Sequence, residues 1–170
     1  MQTYLLIGLI IILGTFVYAN IRAIGWVPMK SKDIAKVLEL ADLKPNETFC
    51  DLGCGDGKLI MAAGQKAQAL GYDISIPLYI VAKIRSFFSK GKVQVKLRDF
   101  WLVNLENCDV VFFFLIPRIF PKMKEKLEKE LKTGARVIIY VWPMPGWKIN
   151  KVFKNKNDHS IYLYKIGDLK

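Results

Sequence analysis

The chain has little of what builds metal sites or disulfide frameworks. Its 170 residues include three cysteines, Cys50, Cys54 and Cys108, and a single histidine, His159. There is no C-x-x-C pair, and one imidazole with scattered thiols makes no tetrahedral zinc set, so no metal is expected. The odd cysteine count reads as reduced thiols in a cytosol-like compartment. Acidic residues are also scarce, 15 Asp+Glu against 26 Lys+Arg, a net charge of +11. That excess calls for an anionic partner, either lipid headgroups or nucleic acid. No internal repeat or low-complexity tract is visible, and the length suits one core.

Charge is missing altogether from Tyr4 to Ala19. With Thr3, Asn20 and Ile21 this stretch makes a helix of about 28 Å, near the thickness of a bilayer's hydrocarbon. No Lys or Arg precedes it and no A-x-A site follows, which argues against a cleaved signal peptide. One transmembrane helix is therefore expected within residues 1–24. Arg22, Lys30 and Lys32 place residues 25–170 on the cytoplasmic side of a single-pass protein, with Tyr4, Tyr18 and Trp26 as interface anchors. The basic excess then fits a domain held against an anionic leaflet.

The most informative stretch is Phe49-Cys-Asp-Leu-Gly-Cys-Gly-Asp-Gly-Lys58. Gly53, Gly55 and Gly57 alternate after a short apolar run that carries Asp51. Such a loop between strand and helix lets a nucleotide-like ligand approach the backbone at the carboxyl edge of a parallel sheet. The dinucleotide fingerprint would need a glycine at 58, where Lys stands, and a Walker A loop would need Ser or Thr after Lys58, where Leu59 stands. The D-x-G-x-G-x-G pattern instead resembles motif I of the class I S-adenosylmethionine (SAM)-dependent methyltransferases. SAM has no phosphates but carries an ammonium and a sulfonium, and acidic side chains suit both. Asp73, 20 residues past Gly53, stands where such folds bind ribose hydroxyls, although it could equally cap a helix starting near Ser75. Asp99 follows the alternating Val93, Val95 and Leu97, just past a strand end. In class I methyltransferases an acid there accepts from the adenine amine, with Phe100 or Trp101 against the base.

Alternating segments complete the pattern. Ile34, Val37, Leu38 and Ala41 stripe one helix, and Phe120, Met123, Leu127 and Leu131 another. Val110–Ile116 is a continuous apolar run, as in a central parallel strand. Two strand-like stretches flank 155–158 near the C-terminus. The expected fold is α/β, a doubly wound, mostly parallel sheet with an antiparallel C-terminal edge.

Methyl transfer from a sulfonium needs an in-line approach and a neutral nucleophile more than acid–base chemistry. No Asn-Pro-Pro-Tyr follows the fourth strand, against amide or adenine-amine acceptors of that type, and Cys108 sits at the wrong strand end for a cytosine nucleophile. Aromatic groups remain, and aromatic walls bind alkylammonium.

From Val27 onward the motif order resembles the small membrane-anchored protein-lysine methyltransferases that modify the ATP synthase c-ring protein and the adenine nucleotide translocase. The matching pieces are Trp26-Val27-Pro28, Asp-Leu-Gly-Cys-Gly-Asp-Gly-Lys, Gly-Tyr-Asp-Ile, Arg-Asp-Phe-Trp-Leu-Val-Asn-Leu, the segment 126–137, and a closing x-Pro-x-Pro-x-Trp. The resemblance implies SAM contacts at Asp51, Gly53, Gly55, Asp73 and Asp99, with Cys54, Gly57 and Phe100 completing the candidate set. Trp26, Pro28, Trp101, Trp142 and Pro143 are the candidates for positioning the acceptor. It implies lysine methylation on a membrane protein. Lipid, quinone or RNA methylation, and SAM binding without catalysis, are the rival readings. Asp73 stands where Glu is usual, and Tyr-Val-Trp-Pro replaces an expected Arg-Phe-Pro before the final prolines.

Overall fold

The computed structural model describes residues 2–22, 27–154 and 159–169. In chain order the elements are α1 (Gln2–Arg22), α2 (Ser31–Ala41), β1 (Thr48–Leu52), α3 (Lys58–Ala63), β2 (Gln68–Asp73), α4 (Ile76–Phe87), β3 (Val93–Leu97), β4 (Val110–Phe113), α5 (Phe120–Glu130), β5 (Arg136–Tyr140), β6 (Lys151–Phe153) and β7 (Ile161–Lys165). The seven strands form one sheet in the order β3-β2-β1-β4-β5-β7-β6. β1 to β5 are parallel, while β7 runs antiparallel to both β5 and β6. The order reverses between β1 and β4, and ligands bind outside the strand ends at such a switch point.

Local sequence explains the elements. β4 is the strand without a polar residue, and all four of its positions are buried between β1 and β5. On α2, Val37, Leu38 and Ala41 face the core, and α5 buries Phe120, Met123 and Leu127. α3 ends with its apolar run at Ala63, where Gly64 packs on the β2–β3 side. A Cβ on Gly64 would lie 2.3 Å from the Val93 side chain. The two clusters of the core line the two faces of the sheet, one centred on Phe113, Phe120 and Tyr164, the other on Phe49, Ile60 and Ile138.

Two expectations need correction. The transmembrane span is not found: among the described residues no helix is long and apolar enough to cross a membrane. α1 still leaves Tyr4, Leu5, Leu6, Ile10 and Val17 largely exposed. It packs on α4, where the Ile76 N–H donates to Thr15 Oγ1 at 3.3 Å. The second correction concerns the thiols. Cys50 and Cys108 form a disulfide, and Cys54 is the free, buried cysteine. Parallel pairing of β1 with β4 brings the two sulfurs together across 58 residues.

Candidate functional site: a carboxylate-ringed glycine loop

β1 ends in the loop 53–57, where Gly53, Gly55 and Gly57 all take positive φ (87°, 54° and 79°). Side chains rarely adopt that region, so the glycines are required by the path of the chain. The loop is tied to β2: the Gly53 and Cys54 N–H groups donate to the Tyr72 carbonyl at 2.8 and 3.0 Å. The approach is close. A Cβ on Gly71 would lie 2.5 Å from Ile60 Cδ1 and 2.8 Å from Cys54 Sγ.

Three buried carboxylates surround this turn. Asp51 is 3 % exposed, and its Oδ1 has no hydrogen-bond partner among the described residues. Its pKa is held well above the usual 3.8, first by burial and then by the nearby Asp73 and Asp56. An orphaned carboxylate oxygen in an acidic pocket is a costly arrangement that a cationic ligand relieves. Asp73 accepts from the Gly55 N–H through Oδ2 and from the Ser75 N–H through Oδ1, both at 2.8 Å. It therefore ties the loop to the residue that precedes α4, without capping that helix. Its remaining lone pairs stay available to a diol. Burial raises its pKa, and those backbone donors oppose the rise. Asp56 pairs with Arg85 of α4, whose Nη1 also donates to the Asp56 carbonyl at 2.9 Å. The Ser75 hydroxyl, fully buried, is the other side-chain oxygen without a partner among the described residues.

The remaining cofactor candidates differ in what they offer. Asp99 caps a 3-10 turn, its Oδ1 accepting from the Trp101 N–H at 3.0 Å. Phe100 is buried in the core with Tyr72 and Val103, so it presents little surface to the crevice. Burial pushes the Cys54 thiol pKa well up, and Asp51 and Asp73 add to the shift, so this cysteine is a packing group rather than a nucleophile.

Beside the loop, a second set of side chains gathers at the carboxyl ends of β4 and β5. A Cβ on Gly53 would stand 3.7 Å from Leu115, which follows β4. Phe114 stacks on Trp142 (ring centroids 5.9 Å, 26° between planes) and meets Tyr140 edge-on at 4.9 Å. Trp142 is set there by an unusual turn. Val141 takes φ 77°, and the Trp142 N–H donates to the Tyr140 carbonyl at 3.1 Å. This is a γ-turn centred on a β-branched residue, a strained conformation of the kind that gathers at functional sites. The Tyr140 hydroxyl bridges Asp33 of α2 and His159 Nδ1 (2.7 and 3.0 Å).

The acceptor candidates are thus only partly assembled. Trp142 joins the aromatic group. Pro28 and Pro143 are exposed. Trp101 packs instead against Phe100 and beneath Lys122 Nζ, 4.5 Å from its ring centre. Trp26 lies outside the described residues. Phe114, Tyr140, Asp33 and His159 were not apparent from sequence. Phe114 was hidden inside an apolar run, and the others meet only through the fold.

With this geometry established, the sequence model of the ANTKMT methyltransferase domain matches residues 51–151, which span the glycine loop, most of the parallel sheet and the aromatic turn. The chain belongs to this family. A protein-lysine N-methyltransferase of Saccharolobus islandicus is 32% identical over 155 residues, covering 86% of this chain and 96% of that protein. The adenine nucleotide translocase lysine N-methyltransferase of Mus musculus is 31% identical over 129 residues, covering 74% of this chain and 56% of that protein. The ATP synthase c-subunit lysine N-methyltransferase of Xenopus laevis is 26% identical over 167 residues, covering 95% of this chain and 73% of that protein. Among solved structures, an RNA methyltransferase from Salinibacter ruber bound to S-adenosyl-L-homocysteine superposes with a TM-score of 0.78 at 24% identity, over 82% of this chain and 94% of that one. That likeness supports the class I methyltransferase fold. The enzyme is SAM-dependent. The orphaned Asp51 oxygen, the acidic ring and the open glycine backbone all suit a cationic, phosphate-free donor.

Proposed function

We propose that this enzyme methylates the side-chain amine of lysine in a membrane protein. The observation that carries the reading is the Phe114–Trp142 stack, which follows the carboxyl ends of β4 and β5 next to the sheet's switch point. When bound, SAM supplies an electrophilic methyl on a sulfonium. The chain's own residues would hold and orient it. Asp51 would receive the ammonium, Asp73 the ribose hydroxyls and Asp99 the adenine amine, with the backbone of Gly53, Gly55 and Gly57 leaving room for close approach.

A lysine must attack as the neutral amine. Aromatic walls attract the ammonium form on entry, while loss of water lowers its pKa and frees the lone pair. Phe114 and Trp142 serve both purposes. Tyr140, buried and hydrogen-bonded to Asp33 and His159, would anchor the turn that carries Trp142. A membrane-protein acceptor is supported by the relatives named for the adenine nucleotide translocase and for the c-ring protein of ATP synthase. The exposed apolar surface of α1 and the net charge of +11 support it too. In this reading residues 1–24 bring the catalytic domain, 25–170, to the cytoplasmic face of a bilayer.

The test is incubation of the purified chain with native membranes and methyl-labelled SAM. Label recovered as methyl-lysine in a protease-sensitive membrane band is the expected result. Label in the lipid extract or in RNA, with no methyl-lysine, overturns the assignment.

A further inference from the structure

Between Asp73 and Asp99 the chain carries six Lys or Arg residues and not one Asp or Glu. This acid-free stretch is α4 and the edge strand β3. The methyltransferase site draws only on its two ends and on Arg85.

α4 has two faces. Ala82 is fully buried on the inner one. On the outer one Ile80, Ile84, Phe87 and Phe88 recur at i, i+4, i+7 and i+8, so they form a single stripe, with Val81 on its flank. All are exposed in the presence of α1, Phe87 by 84% and Phe88 by 78%. The two phenyl rings meet edge-on at 5.4 Å, so they stand out as one unit at the end of the helix. Basic side chains border the stripe: Lys83 beside it, Lys90 and Lys92 just past the rings, and Lys96 and Arg98 along the neighbouring sheet edge, all exposed. A contiguous apolar stripe of this kind is uncommon on a free surface. Near the start of α4 the helix α1 packs on it, and α1 carries exposed apolar side chains of its own.

We propose that the outer face of α4 is an anionic-lipid docking surface, with Phe87 and Phe88 entering the headgroup–acyl boundary and Lys83, Lys90 and Lys92 contacting lipid phosphates. Apolar and aromatic groups on one helix face with lysines at its margin are what an interfacial helix needs, and an acid-free border fits an anionic leaflet. Nucleic acid would use the same charges, but it gives no role to an aliphatic stripe of Ile80, Val81 and Ile84. Docked in this way, the chain is held at the bilayer that carries its acceptor. That purpose rests on the proposed membrane-protein acceptor, whereas the lipid binding itself does not.

The experiment uses the full chain with Phe87→Ser/Phe88→Ser, and separately Lys90→Glu/Lys92→Glu. Flotation is measured with phosphatidylcholine vesicles, with and without about 30 mol% phosphatidylglycerol as the anionic component, in low and high salt. SAM affinity and turnover on a soluble lysine peptide are followed in parallel. The expected result is at least a roughly tenfold fall in partitioning for each double variant on the anionic vesicles, with SAM affinity and peptide turnover unchanged. For the lysine pair, the loss should be largest at low salt. Unchanged partitioning of the phenylalanine variant overturns the proposal, since α1 would then suffice. Unchanged partitioning with a shift from dimer to monomer, or charge-dependent retention on RNA that outcompetes vesicles, overturns it in favour of self-association or nucleic acid. Failure to methylate any lysine while vesicle binding persists removes the proposed function and leaves this surface standing.

Discussion

The hydroxyl of Tyr140 donates to Oδ2 of Asp33 at 2.7 Å, joining two buried side chains 107 residues apart. The bond fastens the start of α2 to the end of β5 and so fixes the turn that carries Trp142. Tyr140→Phe removes a donor from a buried carboxylate, at a cost of about 1–3 kcal/mol. Thermal unfolding should move down accordingly. SAM affinity should hold, while kcat/KM for a lysine substrate drops, because only the acceptor side is loosened. An equal loss of SAM affinity would show that the two sites are not separable in this way.

Trp142→Ala removes one wall of the proposed lysine pocket. A cation–π contact shielded from water is worth about 1–2 kcal/mol, so KM for a peptide acceptor should rise roughly tenfold. Phe114→Ala should behave alike, since the two rings stack. Trp101→Ala, whose ring lies under Lys122, should leave that KM unchanged. Steady-state kinetics with SAM held saturating provides the check.

Asp51 yields a prediction in pH. In the ligand-free fold its carboxyl ionises well above the usual 3.8, because of burial first and then Asp73 and Asp56. The unfolded chain ionises near the ordinary value, so stability declines as pH rises from there to the folded pKa and stays lower beyond it. Asp51→Asn escapes that penalty and should raise the melting temperature of the ligand-free protein at neutral pH. The same substitution should weaken SAM binding by roughly tenfold or more, the worth of a charged hydrogen bond. A cation binds the carboxylate form, so wild-type affinity should climb with pH up to the ligand-free pKa and then level off, with a proton released on binding. Calorimetry in two buffers of different ionisation enthalpy measures that proton, and Asp51→Asn should release less.

The Cys50–Cys108 disulfide closes a loop of 58 residues, for which chain entropy gives a stabilisation of about 4 kcal/mol. Reduction, or Cys50→Ala with Cys108→Ala, should lower the melting temperature by roughly 10 °C at this chain length. SAM binding at low temperature should survive, because both sulfurs lie outside the loop 53–57. In the proposed cytoplasm-facing placement, a buried disulfide would follow the pattern of hyperthermophilic intracellular proteins.

What could be read from the sequence was what is written locally. The alternating glycines and Asp51 sit within a single short stretch, and Asp73 and Asp99 fall at strand ends that hydrophobic alternation marks. Pro77, after Ser75, announces the start of α4, and β4 declares its central place by having no polar residue. The part that escaped depends on contacts between distant segments. Cys50 meets Cys108 only because β1 and β4 are neighbours in the sheet. Asp33 stands on a helix striped by Ile34, Val37 and Leu38, and the sequence assigned it no role. It is buried because Tyr140 comes to meet it. β5 stops at Tyr140, where Val141 adopts a conformation that its side chain gives no reason to foresee. For Asp73 the sequence offered ribose binding or a helix cap; its carboxylate makes no cap on α4 and instead braces the glycine loop through the Gly55 N–H, a contact that only the fold creates. The uncharged N-terminal run forms a helix as expected, but among the described residues no helix is long and apolar enough to be a span.

The most direct test of the central claim is a crystal structure of the full chain soaked with S-adenosylhomocysteine. The account predicts the ligand in the crevice of Gly53, Gly55 and Gly57, its amino group within hydrogen-bond distance of the now partnered Asp51 Oδ1 and its ribose against Asp73. A ligand bound elsewhere with Asp51 still unpartnered, or the same crevice taken by a pyrophosphate-bearing nucleotide in preference, would contradict it.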